Sequence, residues 1–258
     1  MPNSSKTTNK KSLSIHSFVN GFSFCTKSKI DFFSSTNNQK NFIEILNGYL
    51  DQEDKDWFES IKFISFHNAS TFVPDSLFDN SRPKDYLKLY TKERENEIVS
   101  YDNIEKLSQI NVYTFPKSIS NNLKKVNINI EISHYNTLLL NNIFSLEFSN
   151  GIEYQLFIHL QSEALDVFLF QKKIFKFNNR FLISNEDEFL YYLFFIVEQF
   201  DMETEGLEII LLGKIQRYES YYKALNQYHN HIKFVDGDNN QIKNLSTHPA
   251  PYLANNFS

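Results

Sequence analysis

Few side chains in this 258-residue chain have the types and spacing that chemistry requires. His229 and His231 bracket Asn230, so on a strand both would share a face and offer two metal ligands. No third ligand follows nearby, and solvated or hydrogen-bonded histidines are the competing reading. Cys25 would need an activating base to act as a nucleophile, and between Phe22 and Phe24 it reads as core. Ser162, Asp166 and a histidine can be drawn as a hydrolytic triad, but no nucleophile-elbow glycines flank Ser162. The remaining candidates are two turns, IHSFVNG (15–21) and IHLQSEA (158–164). Phosphate-cradling turns lean on glycine because backbone N–H groups must approach the ligand closely. The chain has six glycines, where an average composition of about 7% would give roughly eighteen. That scarcity argues against a nucleotide enzyme.

The totals narrow the setting. Hydrophobic residues make up 41% and charged residues 22%, a composition that folds. The 26 Phe and 14 Tyr suit an aromatic core. Net charge is -5 with no basic stripe, so a nucleic-acid partner is not expected. A single cysteine excludes an internal disulfide and fits a reducing cytoplasm. No apolar segment follows the polar MPNSSKTTNKK start. The longest uncharged apolar run, FLYYLFFIV (189–197), falls short of the roughly 20 residues of a membrane helix. A cytoplasmic protein without a membrane span is expected.

The elements that must position these residues read as follows. Residues 1–11 are expected to be a disordered tail. Leu13–Val19 and Phe22–Thr26 form a hairpin, with Asn20-Gly21 as the centre of a type I′ turn, and Lys29–Phe33 adds a strand. Asn41–Leu50 is helical by its apolar spacing, and Ile61–Phe66 is a strand. A helix is expected from Pro83 to Tyr90, and TKERENE reads as a solvated loop, as does the acidic DQEDKD. Strands follow at Asn111–Phe115 and Ile128–Ile132, with a helix after Pro116 and another capped by Ser133. Asn150-Gly151 opens a second series. It has three strands ending near Phe177, a helix from Glu186 to Phe200 capped by Ser184 or Asn185, a strand at Leu207–Leu212, a helix at Gln216–Tyr228 and an edge strand at Ile232–Val235. The helix 186–200 is apolar nearly all round, so cover on more than one side is expected. The alternative is an exposed partner surface at Tyr191, Tyr192 and Phe195.

Each half thus opens on a strand meander and continues by alternating helix and strand, a mixed sheet with helices on its faces. This order resembles the actin-like ATPase fold, two ribonuclease-H-like lobes in tandem. NVYTFPKSISNNLKKVNINIEISHYNTLLL resembles the end of the first half in chaperone and pilus-assembly ATPases, and ILLGKIQRYESYYKAL resembles the adenosine-side strand, turn and helix. More closely, the chain resembles an uncharacterised bacterial family, domain of unknown function 3822. The resemblance rests on LSIHSFVNGFSFC, FVPDSLF with PKDYLKLY, VYTFPK and the FLYYLFFIVEQ…LLG run, over roughly residues 13–235. The boundaries expected are 12–149 for the first lobe, 150–235 for the second and 236–258 for a C-terminal tail.

The resemblance implies phosphate and magnesium contacts at both meander turns, with an Asp in each half. Here His16 and Ser17 stand at the first acid position, and Asn20 and Gly21 remain at the turn. His159 stands at the second, followed by Gln161, Ser162 and Glu163, whose charge opposes phosphate. Gly213, followed by Lys214, remains of the third glycine-rich element. Ser17, Asn20, Gly21, His159, Ser162, Glu163, Gly213 and Lys214 therefore outline a vestigial nucleotide cleft. The expected function is a non-catalytic binding or scaffold protein, with an unidentified protein partner or self-association and no cofactor. The alternative is a nucleotide-binding protein, weak ATPase or sugar-kinase-like phosphotransferase that takes ATP and Mg.

Overall fold

The computed structural model describes residues 11–26, 28–34, 42–52, 58–66, 70–89, 91, 95–125, 129–235 and 245–255. The first ten residues of the expected tail, most of DQEDKD, part of TKERENE and residues 236–244 and 256–258 lie outside them. The chain first forms β1 (Lys11–Phe18), β2 (Gly21–Cys25), β3 (Ile30–Ser34), α1 (Phe42–Gln52) and β4 (Phe58–Ser65). Then come β5 (Ser70–Pro74), β6 (Glu97–Ile104), β7 (Gln109–Pro116), α2 (Lys117–Leu123), β8 (Ile130–His134) and α3 (Tyr135–Ser145). The rest is β9 (Tyr154–Leu160), β10 (Ala164–Gln171), β11 (Ile174–Leu182), α4 (Glu186–Gln199), β12 (Leu207–Leu212), α5 (Glu219–Asn226) and β13 (Ile232–Val235). The described residues fall into two compact units, one up to Leu138 and one from Leu139 to Asn255.

In the first unit the five-stranded sheet has the order β3-β2-β1-β4-β8. Its meander pairs are antiparallel and its β1–β4 and β4–β8 pairs are parallel. As the central strand, β1 is buried on both faces from Leu13 to Phe18, as a strand with neighbours on both sides and layers above and below must be. The apolar face of α1 (Phe42, Ile45, Leu46, Tyr49, Leu50) closes onto it together with Phe24 and Phe63. Edge-to-face contacts link Phe42, Phe63 and Phe115 at 5.6 Å centroid spacing, an arrangement the ring quadrupoles favour.

Between β4 and α2 the chain inserts a second, antiparallel sheet with the order β5-β7-β6. β6 overturns part of the loop reading of TKERENE, since Glu97 already opens the strand. Its valine and isoleucine outweigh the charges beside them once β7 supplies a partner. The helix expected at Pro83 is a short 3-10 turn, Pro83–Leu87. Nor does Ser133 cap α3, because it pairs with Ile64 inside the β4–β8 ladder. The helix instead starts after His134, whose Nδ1 accepts the Asn136 N–H at 3.2 Å. Asp102 of β6 accepts from His134 N (2.8 Å), Thr137 Oγ1 (2.7 Å) and Tyr113 Oη (2.9 Å). A carboxylate from the inserted sheet thus satisfies donors at the start of the helix, which is where negative charge is favoured.

In the second unit the sheet order is β11-β10-β9-β12-β13, again with an antiparallel meander and two parallel pairs. β11 runs on to Leu182, beyond the Phe177 limit expected. Asn185 is the cap of α4: its Oδ1 accepts the Glu188 N–H at 2.9 Å, while Glu188 Oε2 reaches back past the cap to accept the Ser184 N–H at 2.7 Å, close to a capping box. Gln216–Tyr218 is 3-10, and α5 follows it.

Candidate functional site

The first candidate turn belongs to the β1–β2 hairpin. Phe18 pairs with Gly21, so Val19 and Asn20 are the turn residues, and Val19 is 75% exposed. The expected type I′ turn centred on Asn20-Gly21 is therefore displaced by one residue, and neither Val19 nor Asn20 has positive φ. Gly21 is required for another reason. At φ +155° a Cβ there would lie 2.2 Å from the Phe33 carbonyl oxygen of β3, far inside van der Waals contact. His16 and Ser17 are fully buried. His16 Nε2 lies 2.9 Å from Ser14 Oγ, and burial lowers the imidazole pKa to about 3, so the ring is neutral. A neutral imidazole with no solvent access supplies neither the charge nor the open face that a magnesium-bound phosphate needs.

The second turn connects β9 and β10. Gln161 N–H donates to Ala164 O at 2.9 Å, leaving Ser162 and Glu163 exposed at the tip. His159 and Asp166 face each other across the ladder, both fully buried, with Nδ1 and Oδ2 2.9 Å apart. Gln161 Nε2 donates to the same oxygen at 2.7 Å. Burial alone would push the Asp166 carboxyl up. The His159 hydrogen bond, the Arg180 charge and the Gln161 amide outweigh it, and the net pKa is lowered. Asp166 is thus an ionised acceptor that orients His159 with Nδ1 protonated, and Nε2 has no hydrogen-bond partner among the described residues. The imagined triad is only two-thirds assembled, since Ser162 Oγ turns away to the Pro249 carbonyl at 3.3 Å.

Pro249 belongs to the stretch expected from the sequence to be a C-terminal tail. Residues 245–255 form two 3-10 turns, Leu245–Thr247 and Pro251–Asn255, with His248, Ala250, Tyr252, Leu253 and Ala254 buried. Ser162 N–H (3.1 Å), Ser162 Oγ (3.3 Å) and an Arg217 N–H (2.9 Å) converge on the Pro249 carbonyl oxygen. The same guanidinium reaches the carbonyls of His248 at 2.9 Å and Ser246 at 3.4 Å. Tyr252 lies over Gly213, whose added Cβ would meet the ring at 3.3 Å, and its ring centroid is 6.0 Å from that of His159. Gly213 ends β12 at φ +83°. Its N–H donates to Val235 O at 2.8 Å, and its carbonyl accepts from Tyr222 Oη at 3.1 Å. Lys214 is exposed, with Nζ 5.4 Å from the Phe234 ring centroid. Within the second unit His159, Ser162 and Gly213 therefore gather around one segment of this chain. The signal that would have found it is LSTHPAPYLAN, an uncharged stretch with two prolines, an aromatic and two leucines after a polar run.

The other candidates resolve simply. His229 Nε2 is 3.1 Å from Leu207 O, and among the described residues no third ligand joins His229 and His231. The Cys25 thiol is buried, and burial, with the Asp31 charge second, pushes its pKa up, so it is no nucleophile. On α4 the cover expected on more than one side is present in part, from the sheet and from α5, where Phe189 meets Tyr221 at 5.4 Å between ring centroids. Phe189, Leu193 and Ile196 are buried, while Tyr191 is 64% and Phe195 45% exposed. Tyr192 is half-buried, stacked on Phe181 at 4.4 Å. Phe194 and Tyr228, 5.4 Å apart, extend the aromatic surface. A 3.6-residue period places one stripe of a helix on a sheet; α5 covers part of the rest, and Tyr191 and Phe195 stay exposed.

Two five-stranded sheets of one order, each with a meander and two parallel crossovers, define the class: an α/β protein of actin-like ATPase fold. A solved structure from Bacteroides thetaiotaomicron, a protein with actin-like ATPase fold and unknown function, superposes with a TM-score of 0.71 at 18% identity, covering 91% of this chain and 94% of that one. The PilM-PilN type IV pilus biogenesis complex gives a TM-score of 0.58 at 9% identity over 96% of each chain. No curated protein matches the sequence. The family model described as "Protein of unknown function (DUF3822)" matches residues 2–232, and the chain belongs to that family. Among the described residues no helix is long and apolar enough to cross a membrane.

Proposed function

We propose that this chain is a pseudo-ATPase, an actin-like-fold protein that binds another macromolecule and turns over no nucleotide. The observation that carries this reading is the state of the second meander turn. Its Ser162 N–H and hydroxyl, donors that a phosphate would need, are engaged by the Pro249 carbonyl, and the acid position is a histidine tied to a buried aspartate. The first turn supports the same reading, with a buried neutral His16 and a glycine explained by sheet packing. Phosphoryl transfer depends almost wholly on positioned metal and charge, and at both turns a buried histidine stands where the resemblance places an aspartate. The same fold in the PilM-PilN type IV pilus biogenesis complex supports a binding role. The surface offered to a protein partner is the aromatic face of α4, Tyr191, Tyr192 and Phe195, with Phe194 beside them.

Thermal unfolding with and without millimolar Mg-ATP, with ADP and GTP as controls, tests the reading. A ligand at about 100 times its dissociation constant stabilises by about 2.7 kcal/mol, so nucleotide binding would raise the midpoint by several degrees. No shift and no phosphate release are expected. Mg-dependent ATP turnover abolished by a substitution at His159 would overturn it.

A further inference from the structure

The contacts around Ser162 and Arg217 are those of a receptor with a peptide in it. Resting on the reading above that the chain binds macromolecules, we propose that the second unit carries a peptide-binding seat. The segment 245–255 is its resident occupant, and a partner segment of the same chemistry enters by displacing it. The seat has three parts. Arg217 and Ser162 read main-chain carbonyls: the guanidinium bridges Ser246, His248 and Pro249, and Ser162 shares the Pro249 oxygen. Carbonyl recognition by a fixed guanidinium fork is directional and independent of the ligand's side chains. The floor is Gly213, where the missing side chain leaves room for Tyr252. Behind it stands His159, held by Asp166 through Nδ1, with a buried Nε2 that has no hydrogen-bond partner among the described residues.

The occupant fits that seat by composition. LSTHPAPYLAN has no charged side chain, and its two prolines restrict the free segment, so less conformational entropy is lost on seating. Inside the segment the His248 ring organises the backbone by accepting the Ala250 N–H at 3.0 Å, and Leu253 N–H closes onto Ala250 O at 3.2 Å. The family match ends at residue 232, so the occupant lies beyond the matched residues while Arg217, Ser162 and Gly213 lie within them. The chemistry selected in a partner is an uncharged, proline-bearing segment that presents consecutive carbonyls and then an aromatic ring.

The test uses the full chain and a fluorescein-labelled peptide of residues 241–258. A resident occupant lowers the apparent affinity for a second one by the fraction of time the seat is open. Tyr252→Asp with Leu253→Asp in the full chain evicts the resident segment, and this variant is expected to bind the peptide at least about tenfold tighter than the natural chain does. Adding Arg217→Ala abolishes that binding. Equal binding to both chains, no binding to a folded double variant, or binding indifferent to Arg217 would each overturn the proposal. If the double variant does not fold, hydrogen exchange on the natural chain decides. The Ser162 amide, on an exposed turn, is expected to be protected, and to lose protection together with Leu253 in Arg217→Ala while Ile158 is unchanged. Exchange of Ser162 at the rate of an open turn in the natural chain would remove the seat. The outcome is separate from the preceding reading, because ATP turnover would refute the pseudo-ATPase and leave the peptide titration as it stands.

Discussion

The two five-stranded sheets share one strand order, yet their first hairpin turns differ in kind. In the first unit the turn is a short exposed connection whose glycine exists for the neighbouring strand, since the Phe33 carbonyl lies where a Gly21 Cβ would be. In the second the turn is longer, and its donors grip another part of the chain at Pro249. Topology is held by ladder pairing and by the buried faces of the sheets, so it survives when the chemistry at the turns is replaced. What remains at each turn is whatever that unit's packing still requires. Gly21 and Gly213 look alike as relics of a glycine-rich site and have unrelated structural reasons for being there.

Substituting both glycines breaks the likeness most sharply. Gly21→Ala combines an unfavourable φ with an overlap against backbone that cannot step aside, and about 4 kcal/mol of destabilisation is expected from strain plus overpacking. Gly213→Ala meets a tyrosine ring that can shift by a few tenths of an ångström, so positive φ dominates and about 2 kcal/mol is expected. Urea denaturation of the two variants gives the order. A larger effect at Gly213 would mean that the Tyr252 packing is the more rigid of the two.

The two buried aspartates extend the contrast. Asp102→Ala strands the His134 N–H, Thr137 hydroxyl and Tyr113 hydroxyl, and about 3 kcal/mol of destabilisation is expected from unsatisfied donors. With Asn in place of Asp the two sites separate by pH. Burial raises the Asp102 carboxyl above its ordinary range despite the hydrogen bonds it accepts. Its contribution is therefore fullest below the ordinary carboxylate pKa and declines as pH rises through the raised value. Asp166 is lowered, with its partners outweighing burial. Its contribution is present above the ordinary value and is lost as pH falls through the lowered one. Unfolding from about pH 3 to about pH 7 should show the stability gap to Asp102→Asn shrinking and the gap to Asp166→Asn widening. Gaps that move in the same direction would mean that His159 and Gln161 do not hold the Asp166 charge.

What could be read from the sequence follows the range of the interactions. The α4 cap was legible because Asn185, Glu188 and Ser184 lie within one turn, and Asn185→Ala is expected to cost about 1 kcal/mol in thermal unfolding. The α3 cap was not, because its acid comes from Asp102 in an inserted sheet, and the local pattern favoured Ser133. The strand meanders and the repeat of the halves were legible from periodicity. The inserted strands β5 and β6 were missed, since their residues become a strand only beside β7. At the candidate site the departures from the phosphate pattern at His159, Ser162 and Glu163 were visible as residue types. Their actual partners, Asp166 across the ladder and Pro249 some ninety residues on, depend on folding and left no local mark.

The smallest expected effect concerns the other turn of the second meander. Gln171 pairs with Ile174, so Lys172 and Lys173 are the loop, and both have positive φ, 48° and 68°. That is the type I′ conformation, formed here without the Asn-Gly pair that favours it, while the turn beside the chain's own Asn20-Gly21 lacks positive φ at Val19 and Asn20. A left-handed backbone costs an ordinary residue about 1–2 kcal/mol, and glycine escapes that cost but loses more freedom on folding, about 0.4–1 kcal/mol. Lys173→Gly is therefore expected to stabilise by somewhat under about 1 kcal/mol, a rise in midpoint of roughly 2 °C. The Lys172 Nζ to Glu153 contact at 3.7 Å is untouched by that substitution. A gain would show that backbone conformation alone limits this turn. A loss would mean that the Lys173 side chain contributes a contact outweighing the strain, which would make this turn, like the one at Ser162, a place where partners set the geometry.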